Sequence, residues 1–297
     1  MHHHRSGALG AALLALWMTQ AQAVEVAYVG SYVWRGNDED FGGFSGIEIS
    51  PDGTGFHALS DRATLRWGTI ERDDQGVIRG LTTIGSTRLK SSIGRELRGG
   101  WEGDSEGLAM DDQGRLWVSF EGLHRIARYD DPDQPATLVG TPPAFRQINK
   151  NGGFEALAIA PDGAVIAIVE RSGGPDIPSP IWRWTEAEGW SQPWSIPRDD
   201  NWLPTGADFG PDGRLYVLDR GFQGLLGFAS RVRRFDWGAN GPENPVELLR
   251  TTPAQYDNLE GISVWDDGIG LRLTMISDDN FLFLQRTELV EYRVTGD

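Results

Sequence analysis

Glu155-Ala156-Leu157-Ala158-Ile159-Ala160-Pro161-Asp162-Gly163-Ala164-Val165-Ile166-Ala167-Ile168-Val169-Glu170-Arg171 is two apolar runs joined by Pro-Asp-Gly and closed by acids at both ends. Asp-Gly between apolar runs supplies the positive φ angles of a tight hairpin turn, so the segment reads as a β-hairpin. The same pattern returns four times. Ser45-Gly46-Ile47 runs through Pro51-Asp52-Gly53 to Ser60-Asp61-Arg62, and Glu106-Gly107-Leu108 through Asp112-Gln113-Gly114 to Phe120-Glu121-Gly122. Thr205-Gly206-Ala207-Asp208 runs through Pro211-Asp212-Gly213 to Leu218-Asp219-Arg220, and Glu260-Gly261-Ile262 through Asp266-Asp267-Gly268 to Ser277-Asp278-Asp279.

The five starts are separated by 61, 49, 50 and 55 residues, the length of a four-stranded propeller blade. Outer strands are expected at 68–72 and 77–83, 125–130 and 137–140, 181–185 and 192–196, and 231–237 and 246–250. After the fifth hairpin only Glu288 to Val294 remains, so the missing strand is assigned to Glu25 to Val33. Pairing of the two ends would close the ring and remove exposed edges. The expected fold is an all-β propeller of five blades in a single domain, 24–297. Six blades is the alternative if the segment from Lys90 to Asp104 hides strands.

The remaining composition fits an exported protein. His2, His3, His4 and Arg5 precede an apolar stretch from Ala8 to Met18 and then Ala21-Gln22-Ala23, the order of a signal peptide cleaved after Ala23. A periplasmic or secreted location follows as an expectation, with no membrane attachment after cleavage. There is no Cys, which excludes disulfides, thiol nucleophiles and thiolate metal sites. The net charge of −16 opposes nucleic-acid binding and makes cations the natural partners. A monomer is expected.

In a blade the first strand starts, and the second ends, at the same end of the sheet. Glu106 and Glu121, Glu155 and Glu170, Asp208 and Asp219, Glu260 and Asp278, and Asp61 are therefore expected around one mouth of the channel. Arg62, Arg171 and Arg220 each follow an acidic strand end, and alternation would turn them from the axis toward neighbouring carboxylates or an anion. So many carboxylates require a counter-charge, and hard oxygen ligands at this density suit Ca²⁺. The candidate metal ligands are Asp61, Glu106, Glu121, Glu155, Glu170, Asp219, Glu260 and Asp278. Arginine and backbone pairing of the same acids is the competing account. The turn acids Asp52, Asp162 and Asp212 belong to the opposite end and form turns.

Beyond the N-terminal trio the only imidazoles are His57, inside a strand, and His124, in a loop after Glu121. A three-histidine zinc site is thereby excluded, and His124 is the imidazole placed for proton transfer. Trp117, Trp182 and Trp184 fall in strands and read as packing.

Phe41-Gly42-Gly43-Phe44-Ser45-Gly46-Ile47, Ala58-Leu59-Ser60-Asp61-Arg62, Glu106-Gly107-Leu108-Ala109, Leu116-Trp117-Val118-Ser119, Gly153-Phe154-Glu155-Ala156-Leu157-Ala158 and Glu260-Gly261-Ile262 resemble the phytase-like domain called "esterase-like activity of phytase". Asp61, Arg62, Glu106, Glu121, Glu155, Glu170, Asp219, Arg220, Glu260, Asp278 and Asn280 match its recurrent polar positions. Ala156 stands where Gly is usual, and the fourth segment lacks the leading Glu. The resemblance implies a hydrolase of phosphoester or ester bonds acting on a small anionic ester substrate. Its candidate catalytic residues are Glu106, Glu155, Glu260, His124 and Arg62, and its anion-binding residues are Arg62, Arg171 and Arg220. A lactone or carboxyl-ester hydrolase, and a non-catalytic ligand-binding propeller, are the other two readings.

Overall fold

The computed structural model describes residues 24–148, 152–171, 173–199 and 201–296. The expected signal peptide lies outside them. Strand β1 (Glu25–Val33) opens the described chain. Blade one holds β2 (Phe44–Ile49), β3 (Gly55–Ser60), β4 (Thr64–Arg72) and β5 (Ile78–Arg88). Blade two holds β6 (Ser105–Met110), β7 (Leu116–Phe120), β8 (Arg125–Tyr129) and β9 (Thr137–Leu138). Blade three holds β10 (Phe154–Ile159), β11 (Val165–Val169), β12 (Ser179–Thr185) and β13 (Gly189–Ile196). Blade four holds β14 (Trp202–Phe209), β15 (Leu215–Phe222), β16 (Phe228–Gly238) and β17 (Gly241–Arg250). Blade five is β18 (Asn258–Asp266), β19 (Leu271–Asp278) and β20 (Glu288–Thr295), completed by β1 in the order β1-β20-β19-β18.

The five four-stranded antiparallel sheets and the closure by β1 are as the repeat spacing requires, with Glu25 opposite Thr295 and Val33 opposite Glu288. In blades one, three and four the outer strands run longer than expected, because ladder bonding continues into polar residues (β4 starts at Thr64 and β17 at Gly241), whereas in blade two β8 ends at Tyr129 and β9 is only Thr137–Leu138. The segment from Lys90 to Asp104 contributes two isolated bridges, Lys90 to Glu96 and Lys90 to Pro135, and no sixth blade. Among the described residues no helix is long and apolar enough to cross a membrane.

The hairpin turns are made as their residues dictate. Gly53, Gly114, Gly163, Gly213 and Gly268 all hold positive φ, between 71° and 81°. The inner strands pack along the axis with almost no clearance. A Cβ on Gly261 would lie 2.9 Å from the backbone of Gly46 and Ile47, and one on Gly206 would lie 2.5 Å from the Glu260 carbonyl oxygen. Small residues here let inner strands of different blades meet backbone to backbone. Outside that contact, β7 and β11 are buried along their whole length. Trp117 and Trp182 lie in the core between blades two and three, with Trp184 packed against them, so these indoles serve packing as the sequence implies.

Candidate functional site

Each inner hairpin carries one extra residue in its first strand. The register slips between Phe44 and Gly46, Ser105 and Leu108, Phe154 and Ala156, Pro204 and Gly206, and Leu259 and Gly261. These bulges fall at the same level of every blade and re-aim a side chain there. The residues at the slips are Ser45, Glu106, Glu155, Thr205 and Glu260. The residue just before each slip pairs with Ser60, Phe120, Val169, Asp219 and Ser277 respectively. The next residue along, at the level of the mouth, is therefore Asp61, Glu121, Glu170, Arg220 or Asp278.

This register corrects the reading of blade four. Arg220, and not Asp219, occupies the position of the other strand-end acids, because β15 continues to Phe222 and its ladder fixes the alternation. Asp219 faces away, fully buried, where Arg231 Nε (2.9 Å), Arg233 Nε (2.6 Å) and Arg233 Nη2 (2.8 Å) donate to it. Asp208 is also displaced from the expected ring. It sits three residues beyond the slip toward the turn end, where it accepts hydrogen bonds from the backbone amides of Phe209 (2.7 Å) and Val264 (2.6 Å). Its carboxyl is pushed up to about 7, chiefly by burial, and it acts electrostatically on Glu48 of blade one.

The mouth divides into two kinds of acid. Glu155, Glu170 and Glu260 converge on Arg220: its Nη2 lies 3.1 Å from Glu170 Oε1 and 3.8 Å from Glu155 Oε2, and its Nη1 donates to Glu260 and, at 3.2 Å, to Asn258. Arg171 Nε donates to Glu170 Oε2 at 3.0 Å. These acids have their counter-charge inside the protein. Burial still holds Glu155 well above the usual carboxylate range and raises Glu260, with Arg220 opposing in both cases.

Asp104, Glu106 and Glu121 form the second kind. One carboxylate oxygen of each lies within 4.8 Å of the other two. Glu106 is pushed well above its ordinary value by burial first and then by the charges of Glu260, Asp104, Glu121 and Asp61. Glu121 is raised by burial, although it accepts the Gly153 amide at 3.1 Å, and burial raises Asp104. Three hard oxygen donors that repel one another fit a divalent cation such as Ca²⁺. Asp104 is the member that reading the sequence missed. Its carbonyl accepts the Glu121 amide at 2.8 Å, which ties it to the mouth, and its place two residues before Glu106 was the available signal.

Asp61 and Asp278 flank this group. Asp61 is raised to about 6 by burial, with Arg62 opposing and Glu260 and Asp104 adding. Asp278 is raised to about 8 by burial and by Glu260, against a hydrogen bond from the Asn280 amide. Arg62 lies with its guanidinium carbon 3.2 Å from the centre of the Phe281 ring. The His124 imidazole and the Glu121 Cγ fill the space beside Gly153 that a Cβ would occupy. His57 lies in β3 between Glu48 and Trp67, and burial lowers its pKa.

A five-bladed propeller with a carboxylate-lined mouth is the class that fold and site define. The chain belongs to the phytase-like family, "esterase-like activity of phytase", which matches residues 39–281. A search of curated proteins finds no match. Two solved structures are similar in shape. The PQQ-bound aldose sugar dehydrogenase of Streptomyces coelicolor superposes with a TM-score of 0.51 at 14% identity, over 93% of this chain and all (100%) of that one. The α-L-arabinofuranosidase of Podospora anserina, in complex with cellotriose, gives a TM-score of 0.53 at 15% identity, over 92% of this chain and 98% of that one. At such identity the likeness carries the propeller fold and none of the chemistry.

Proposed function

We propose that the protein is an exported, calcium-dependent hydrolase of small anionic esters, phosphoester or carboxyl-ester, with its centre at the carboxylate mouth. The observation that carries this reading is the contrast between the two acid groups. Glu155, Glu170 and Glu260 share Arg220, whereas Asp104, Glu106 and Glu121 crowd together with no arginine or lysine ion pair among the described residues. Buried like charges at such separation favour either protonation or a bound cation. Family membership supports hydrolysis as the use made of it.

Asp104, Glu106 and Glu121 would hold the ion. Once bound, Ca²⁺ would polarise a phosphoryl or carbonyl oxygen and acidify a water. The chain's own groups supply the rest. Asp61 and Asp278, lifted to about 6 and about 8, can each hold or release a proton near neutral pH. Their acid and base forms coexist where unperturbed carboxylates would be fully ionised. Arg171 and Arg62 offer positive charge for an anionic substrate. His124, which lies with Glu121 beside Gly153, is placed to give a proton to the leaving alkoxide of either kind of ester.

Turnover of p-nitrophenyl phosphate and p-nitrophenyl acetate, with Ca²⁺ and after chelation, tests this reading. Hydrolysis that disappears with EDTA and returns with Ca²⁺ is expected for at least one probe. Tight Ca²⁺ binding without turnover of any ester would overturn the hydrolase reading in favour of a binding propeller. Export is tested separately, by a mature N-terminus at Val24 in secreted material.

A further inference from the structure

A cleft of about 590 Å³ opens beside the mouth, lined among others by Arg171, Arg198, Arg220, Leu203, Phe222 and Phe228. It joins the carboxylate ring through Arg220. The three arginines there are not equally occupied. Arg220 is committed to Glu260, Glu170 and Asn258. Arg171 commits its Nε to Glu170 and leaves its side chain about half exposed (48%). Arg198 has no such commitment: its Nε and Nη1 are shielded from solvent, and neither has a hydrogen-bond partner among the described residues.

Nε and Nη1 are closed to solvent and to a ligand oxygen alike, so Nη2 is the nitrogen of Arg198 that can donate into the cleft. Burial is the largest influence on Arg198 and lowers its pKa; the charge of Glu170 opposes it, Arg171 lowers it further, and Asp176 and Asp219 raise it without bonding to the guanidinium. A carboxylate or phosphate entering the cleft can accept a charge-assisted hydrogen bond from the Nη2 end of Arg198, the part of the guanidinium left open. The cleft is far larger than an inorganic ion and lies in the range that takes an organic molecule. Its apolar lining is accessible: Phe222 is 61% exposed and packs on Phe228 with ring centres 5.3 Å apart. The exposed Phe222, packed on a half-buried Phe228, beside an arginine with no hydrogen-bond partner among the described residues selects a ligand that is apolar at one end and anionic at the other.

We propose that this cleft is the substrate-recognition subsite, in which Arg198 binds the oxyanion of an organic phosphate or carboxylate and Phe222 and Phe228 pack against its apolar body. The inference rests on the hydrolase reading for the word substrate. The binding event stands without it.

The test is calorimetric and uses chelated, metal-free protein, so that neither turnover nor the carboxylate cluster contributes. The probes are phenylphosphonate, benzoate, inorganic phosphate and benzyl alcohol. Phenylphosphonate or benzoate is expected to bind, and whichever binds more tightly identifies the oxyanion. Arg198→Gln should weaken that probe at least tenfold while its melting temperature stays that of the wild type. Phe222→Ala, at an exposed side chain, should weaken the aryl oxyanion several-fold more than inorganic phosphate. Arg198→Lys serves if the glutamine variant does not fold, and should show a loss in the same direction because the shorter-reaching ammonium replaces the planar guanidinium. Unchanged affinity in the folded Arg198 variant, or no binding of either aryl oxyanion to the wild type, would overturn the proposal. Binding that depends on Arg198 in a protein with no esterase or phosphatase turnover would sink the hydrolase reading and leave the cleft standing. Metal-dependent turnover indifferent to Arg198 and Phe222 would do the reverse.

Discussion

Glu106→Gln should act on stability with opposite signs in the absence and presence of calcium. The side chain keeps its shape and loses its charge. In the metal-free protein, Glu106 shares a space in which its carboxylate and those of Asp104 and Glu121 approach within 4.8 Å. Two unit charges at that separation repel by about 3.5 kcal/mol at an effective dielectric constant of 20. Protonation already relieves part of this, because burial holds Glu106 well above the usual carboxylate range. A net gain of about 1–3 kcal/mol on removing the charge is therefore expected at pH 8. The sign with pH follows from the raised value. Below about pH 4, near the unfolded carboxyl's pKa, both states are protonated and the variant gains nothing. As pH rises, the unfolded chain ionises first, wild-type stability falls, and the advantage of the glutamine grows. Calcium should invert the order, since an ion binding only the folded ring contributes about 2.7 kcal/mol at a hundredfold excess over its Kd, and the variant forfeits most of that. Denaturant titrations at pH 5 and pH 8, with EDTA or Ca²⁺, read both effects, and calorimetry reads the affinity. Asp52→Asn, Asp162→Asn and Asp212→Asn at the turn end are the charge-matched controls and should leave calcium binding alone. A metal-free variant less stable than wild type, or one that binds calcium equally well, would refute the reasoning. Equal losses in the turn variants would reduce the site to net charge.

The buried pair at the other end of the axis predicts a second pH effect. Glu48 accepts the Met110 amide through Oε1 at 3.2 Å, a bond that Gln retains, and its charge faces Asp208, which sits at about 7. Glu48→Gln should stabilise the protein at pH 8, with a gain that shrinks to nothing toward pH 4; denaturation midpoints across that range would show it, and destabilisation at pH 8 would contradict it. Deleting residues 24–33 strips β20 of its outer partner, exposing it as an edge, and should abolish cooperative unfolding or bring aggregation, as differential scanning calorimetry with light scattering would report. An unchanged melting temperature would count against closure by this strand.

The architecture was readable because each blade repeats a physical device, an Asp-Gly or Gln-Gly turn between apolar runs, and because Glu25 to Val33 was the strand left over for an incomplete fifth blade. The ring was readable in outline, since antiparallel hairpins must bring strand starts and ends together. Its error in blade four came from a single residue of register. Nothing in Leu218-Asp219-Arg220 marks which residue faces the mouth, and the ladder from Leu215 to Phe222 decides it. The one-residue bulges were equally silent, although they set the level of Glu106, Glu155 and Glu260. Asp208 was misplaced because an acid near Thr205-Gly206 resembles a displaced leading acid, while its actual work is to receive the Val264 amide of the next blade. Arg198 carries no motif at all, and only the packing around its guanidinium distinguishes it.

The junction of β1 with β20 also governs timing. The strand that completes blade five lies near the start of the chain and its partner near the end, with about 250 residues between them. A ribosome adding about 5–20 residues per second needs roughly 10–50 s to deliver that partner. Until then β1 has nothing to pair with, and the other four blades cannot be drawn into a ring. Final assembly is thereby deferred until β20 has been made.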